Sequence, residues 1–112
     1  MAIQNTALTT TAANIFVNQS STGTSAITTI HLANYTNSPQ TVNVYVVPIG
    51  SVSGNNTVIY PNYTLTAYNT LIVYAEKFIL GNVGDAIMAN ASNANAVTAT
   101  VSSIGIQTWQ DF

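Results

Sequence analysis

Apolar side chains in this chain recur at every second residue, in short runs broken by Pro, Gly and Asn. From Thr41 to Val47, Val42, Val44 and Val46 share one parity, while Asn43 and Tyr45 take the other. Ile87, Ala89 and Ala91 alternate with Met88 and Asn90, and Val97, Ala99 and Val101 alternate with Thr98, Thr100 and Ser102. A strand turns successive side chains to opposite faces, so a period of two fits half-buried antiparallel strands. Ser92-Asn93-Ala94-Asn95, rich in residues that tolerate turns, joins the last two runs into a hairpin. After Ser102 the parity shifts to Ile104 and Ile106, which implies a β-bulge at Ser102-Ser103 with Gly105 easing the bend.

The rest of the chain carries the same signature less cleanly. Residues 1–13 are polar and Thr-rich, with Ile3 and Leu8 as their sizeable apolar side chains, and read as an extended arm or a first edge strand. Asn14 to Val17 is a compact apolar run, and Ala26 to Tyr35 a long β-branched strand with Ile30 and Leu32 on one face. Thr36-Asn37-Ser38-Pro39 is a turn signal, because Pro restricts Ser38 as well as itself. Pro48 ends the Thr41 strand, and Pro61 divides a strand at Thr57–Tyr60 from another at Tyr63–Tyr68. Thr70–Tyr74 follows, the stretch from Glu76 reads as a further strand, and Gly81 and Gly84 frame the turn before the closing hairpin. About eight strands at regular intervals, with no capped helical pattern, imply an all-β chain: a single antiparallel β-sandwich, Ig-like or jelly-roll. The expected domain spans residues 14–106, and residues 107–112 form a tail carrying Trp109 and Phe112. Two aromatics on a polar tail need an apolar surface, on this domain or on a neighbour.

Charge is the second constraint. Hydrophobic residues make up 47% of the 112 and charged residues only 4%, where an ordinary soluble domain carries roughly a quarter. The polar surface is therefore built from Ser, Thr, Asn and Gln, which desolvate at lower cost than charges do. A net charge of −2 gives little repulsion between copies, and points to a protein that lives in an assembly, the other reading being a secreted or thermally robust domain with an uncharged surface. One Lys and no Arg leave no footprint for a phosphate backbone or an anionic membrane. With no Cys there is neither a disulfide framework nor a thiolate metal site. The N-terminus lacks the basic and apolar regions of a signal peptide, so a complete cytosolic translation product is expected.

The residues that do chemistry elsewhere are sparse. His31 is the sole histidine, so a triad would have to join it to Asp85 and a Ser, yet it sits mid-strand and no Gly-x-Ser-x-Gly elbow accompanies it. Glu76, Asp85 and Asp111 make one carboxylate pair at most, and Glu76 has Lys77 beside it. Calcium requires a clustered set of oxygen ligands, which no acidic loop offers. Asp85 after Gly84 reads as a turn residue bonded to its local backbone. The tyrosines at 35, 45, 60, 63, 68 and 74 read as cross-strand packing partners, with a sugar-binding platform as the other option. No catalytic residue, metal or cofactor is expected.

The opening MAIQNTALTTTAANIFV, the strand AITTIHLAN, the strand TVNVYVVPIG and the ending EKFILGNVGDAIMANAS…AVTATVSSIGI resemble small virion structural proteins of marine tailed bacteriophages, those of cyanobacteria and of abundant marine heterotrophs. The similarity runs from Met1 to about Ile106. It implies a single β-sandwich present in many copies on the particle, with no active site. The expectation is a capsid decoration or cement protein, assembled in the host cytoplasm and located in the virion. Its partners would be the major capsid protein or another virion protein, and further copies of itself as a trimer or dimer. Ile3, Leu8, Trp109 and Phe112 are the expected interface residues, on termini that clamp adjacent subunits. A tail- or fibre-associated receptor- or glycan-binding module is the second expectation, using exposed tyrosines and asparagines.

Overall fold

The computed structural model describes residues 2–18 and 23–107. Among them lie eight strands and no helix: β1 (Ala2–Ala7), β2 (Ala13–Val17), β3 (Gly23–Asn34), β4 (Gln40–Val47), β5 (Val58–Leu65), β6 (Thr70–Leu80), β7 (Ala86–Ala91) and β8 (Val97–Gln107). They form two antiparallel four-stranded sheets, in the orders β1-β8-β3-β6 and β2-β7-β4-β5. The first strand pairs with the last, the second with the seventh, the third with the sixth and the fourth with the fifth. That is one long hairpin rolled on itself, with β8 against β3 and β7 against β4 closing the roll. This connectivity is a jelly roll, and it decides between the two sandwich topologies left open by pattern alone.

Period-two alternation builds the core. Ile30 and Leu32 of β3 and Val97, Ala99 and Val101 of β8 turn inward from the first sheet. Ile15 of β2, Val42 and Val44 of β4, and Ile87 and Ala89 of β7 meet them from the second, in a single buried cluster. Burying each large aliphatic side chain contributes roughly 1.5–3 kcal/mol relative to exposure. Leu8 belongs to this cluster at 2% exposure, with its N–H on the Val97 carbonyl at 2.9 Å. The N-terminal segment is therefore the edge strand β1 followed by a core leucine.

Three local readings change. Pro61 does not stop a strand: β5 runs from Val58 to Leu65 through it. Pro is tolerated there because β5 is a sheet edge, and Pro61-Asn62 bulge out against Asn43 alone. Asn62 sits at φ 46, and Asn43 Oδ1 accepts its N–H at 2.8 Å. Secondly, Thr70–Tyr74 and the strand read from Glu76 are one continuous strand, β6, with Ala75, Glu76 and Lys77 standing opposite Thr28. Thirdly, the parity of β8 does not flip after Ser102, since Ser103 is buried and Ile104 is exposed. The irregularity lies at that place, but the extra residue is Thr28 of β3, whose hydroxyl donates to the Ser102 carbonyl at 3.1 Å.

Candidate functional site

His31 and Asp85 do not converge. His31 is half-buried on the outer face of the first sheet, in register with Thr100 and Ile72. Asp85 is buried at the mouth of β7 in the second sheet. Its two carboxylate oxygens accept the Ile49 N–H at 2.9 Å and the Asn82 N–H at 3.0 Å. The Asn82 bond is the local turn contact expected of it; the Ile49 bond ties that turn to the β4–β5 connection. Among the described residues no three of His, Asp or Glu gather where they would hold a metal ion. Glu76 and Lys77 lie in the backbone bulge of β6, and Asp111, Trp109 and Phe112 lie outside the described residues. Of the expected interface residues, Ile3 is 67% exposed on edge strand β1, whereas Leu8 is consumed by the core and is not available to a partner.

What the fold does build is two unlike ends. At one end the β4–β5 and β6–β7 connections present Ile49, Val52 and Val83, each at least half exposed. Gly84, at φ 99, lets the two connections touch: a Cβ there would stand 2.5 Å from Ile49 Cδ1. Asn18, fully buried after β2, fastens this end from below. Its Nδ2 donates to the carbonyls of Leu80 and Asn82 at 2.8 and 3.1 Å, and its backbone bonds Asp85 and Gly84.

The opposite end gathers the β1–β2, β3–β4, β5–β6 and β7–β8 connections. Asn34, buried at the end of β3, is its fastener. Its Nδ2 reaches the carbonyls of Ser38, Leu65 and Thr66 at 2.8–3.1 Å, and its Oδ1 accepts the Thr36 N–H and hydroxyl at 3.0 and 2.7 Å. Gln40 extends the brace, accepting from the Ser92 hydroxyl at 2.9 Å and the Asn93 amide at 3.0 Å through Oε1. No buried side-chain polar atom among the described residues lacks a hydrogen-bond partner. Here Tyr35 and Tyr68 stand in solvent, while Tyr60 and Tyr63 pack edge-to-face with ring centres 5.8 Å apart. That contact lies within β5, across the Pro61-Asn62 bulge, and is not the cross-strand packing expected of the tyrosines.

Sequence reasoning missed both fasteners, because an asparagine in a chain this rich in Asn has no local mark of burial. The arrangement presents exposed side chains of different character at its two ends. A comparison with protein-family models, with curated proteins and with solved structures finds no match for this chain.

Proposed function

We propose that this chain is a structural subunit of a tailed-phage particle, a decoration or cement protein seated on the capsid shell through its aliphatic end. The observation that carries this reading is the near absence of charge from what the fold exposes. Four charged side chains exist in the sequence, and one of them, Asp85, is buried and fully engaged by backbone donors. A neutral surface avoids the cost of desolvating unpaired charge when many copies pack against a lattice. Ile49, Val52 and Val83, set on connections braced by Asp85 and Asn18, supply the apolar contact. The jelly roll is shared by viral capsid domains and by unrelated proteins, so the fold adds analogy and no more.

Cryo-electron microscopy of the intact particle tests the reading, together with the copy number of the chain relative to the major capsid protein. Regular density over the shell, in near-stoichiometric amount, is the expected result. Density confined to the tail, at a small fraction of capsid copy number, would replace it with a tail- or fibre-associated module.

A further inference from the structure

Two tyrosines at the asparagine-braced end are held out in water, and the core requires neither. Tyr68 is 70% exposed and Tyr35 54%. Tyr68 also adopts φ 59, a left-handed conformation that Asn or Gly takes readily and a bulky residue does not. Its N–H donates to the Thr36 carbonyl at 3.1 Å, so the connection that bears it lies directly against the one that bears Tyr35. The Tyr35 hydroxyl donates to the carbonyl of Asn95, itself at φ 61, which pins that phenol to the β7–β8 connection. Asn37, Thr66, Asn69 and Asn93 stand exposed around them. None of the four connections at this end contains a charged residue.

We propose that this end binds a neutral carbohydrate. A sugar ring has one face of C–H bonds and a rim of hydroxyls, and the protein presents the complement: phenol rings bordered by neutral donors and acceptors. The absence of any cation here gives no hold on a sialyl or sulfate group. A protein partner would be expected to use a central apolar anchor in a pocket, and the exposed aliphatic side chains of the connections gather at the far end instead. The bracing by Asn34 and Gln40 sets the three tyrosine-supporting connections before any ligand arrives, which lowers the ordering cost of binding. This inference does not depend on the particle reading.

Saturation-transfer NMR and calorimetry on the full chain would test it, with neutral gluco-, galacto-, manno- and N-acetylglucosamine oligosaccharides as probes and sialylated and sulfated ones as controls. The expected result is binding of at least one neutral oligosaccharide. Tyr68→Asn, which suits the left-handed backbone, and Tyr35→Ala should each weaken it by about tenfold or more, a loss of one stacking contact. Val52→Ser at the far end should leave it unchanged, and thermal melts would show each variant folded. Failure of every neutral oligosaccharide to bind would overturn the proposal. So would binding restricted to the anionic probes, or affinity that survives both tyrosine substitutions.

Discussion

The two ends of the sandwich are fastened alike and dressed differently. Each has one buried asparagine at a strand end, Asn18 just after β2 and Asn34 the last residue of β3, with its amide on carbonyls at the end of a later strand and in the connection that follows it. One end then exposes Ile49, Val52 and Val83, and the other Tyr35 and Tyr68 amid Asn and Thr. A twelve-residue strand such as β3 spans about 40 Å, so the ends are far enough apart to meet different partners. The lesson is that framework and display are separable. The asparagines hold connections whose outward residues are free to differ, and those outward residues carry whatever specificity each end has.

Removing a fastener should have the largest effect. Asn34→Ala leaves backbone carbonyls, the Thr36 N–H and the Thr36 hydroxyl without their partner, and is expected to cost about 3 kcal/mol or more in chemical denaturation. Asn18→Ala is expected to cost a comparable amount. If either variant is as stable as the parent, the shared-framework half of the comparison fails. Next comes Asp85→Asn, which places an amide donor against one of two backbone N–H groups; a loss of about 2 kcal/mol is expected. Hydrogen exchange should show that loss as faster opening of the β4–β5 and β6–β7 connections, with the tyrosine end unaffected.

Gly84→Ala is a smaller perturbation, about 1–2 kcal/mol from the left-handed backbone. The close approach to Ile49 involves Cδ1, Cγ1 and Cβ at 2.5, 3.0 and 3.3 Å, so turning the side chain relieves it only in part. A double-mutant cycle with Ile49→Ala, which removes Cδ1 and Cγ1, should therefore return a measurable coupling, and a coupling near zero would mean that the Ile49 side chain swings aside freely. Smallest, and opposite in sign, is Tyr68→Asn. Relief of the left-handed phenol should raise stability by up to about 1 kcal/mol, read as a higher melting temperature. A destabilised variant would mean that the Tyr68 ring supports the fold and is not merely displayed.

Strands with one face in the core were legible from sequence. In β4, β7 and β8, parity follows burial almost residue for residue, because a one-residue slip would move every valine and alanine into water. Legibility failed where a residue's type and its environment part company. Ile104 is apolar and outside while Ser103 is polar and inside, so an apolar pattern placed the bulge on the wrong strand. Pro61 looked like a terminator because the pattern does not say which strands are edges. Leu8 looked available to a partner because its Thr-rich neighbours hide that β8 runs alongside it. The fasteners and the tyrosine end depend on contacts between connections distant in sequence, which periodicity does not encode.

The pairing of β1 with β8 also sets a timetable. While the chain is being made, β1 has no neighbour in its sheet until the last of the eight strands has left the ribosome. The middle strand β3 must likewise wait for β6 and β8. Only the β4–β5 ribbon forms from adjacent segments in the middle of the chain, and it offers a seed on which the outer pairs close in turn. Folding dominated by such distant pairings is slow, on the order of milliseconds to seconds. Neither end exists as a surface before that closure, so recognition at either one begins only after synthesis has passed β8.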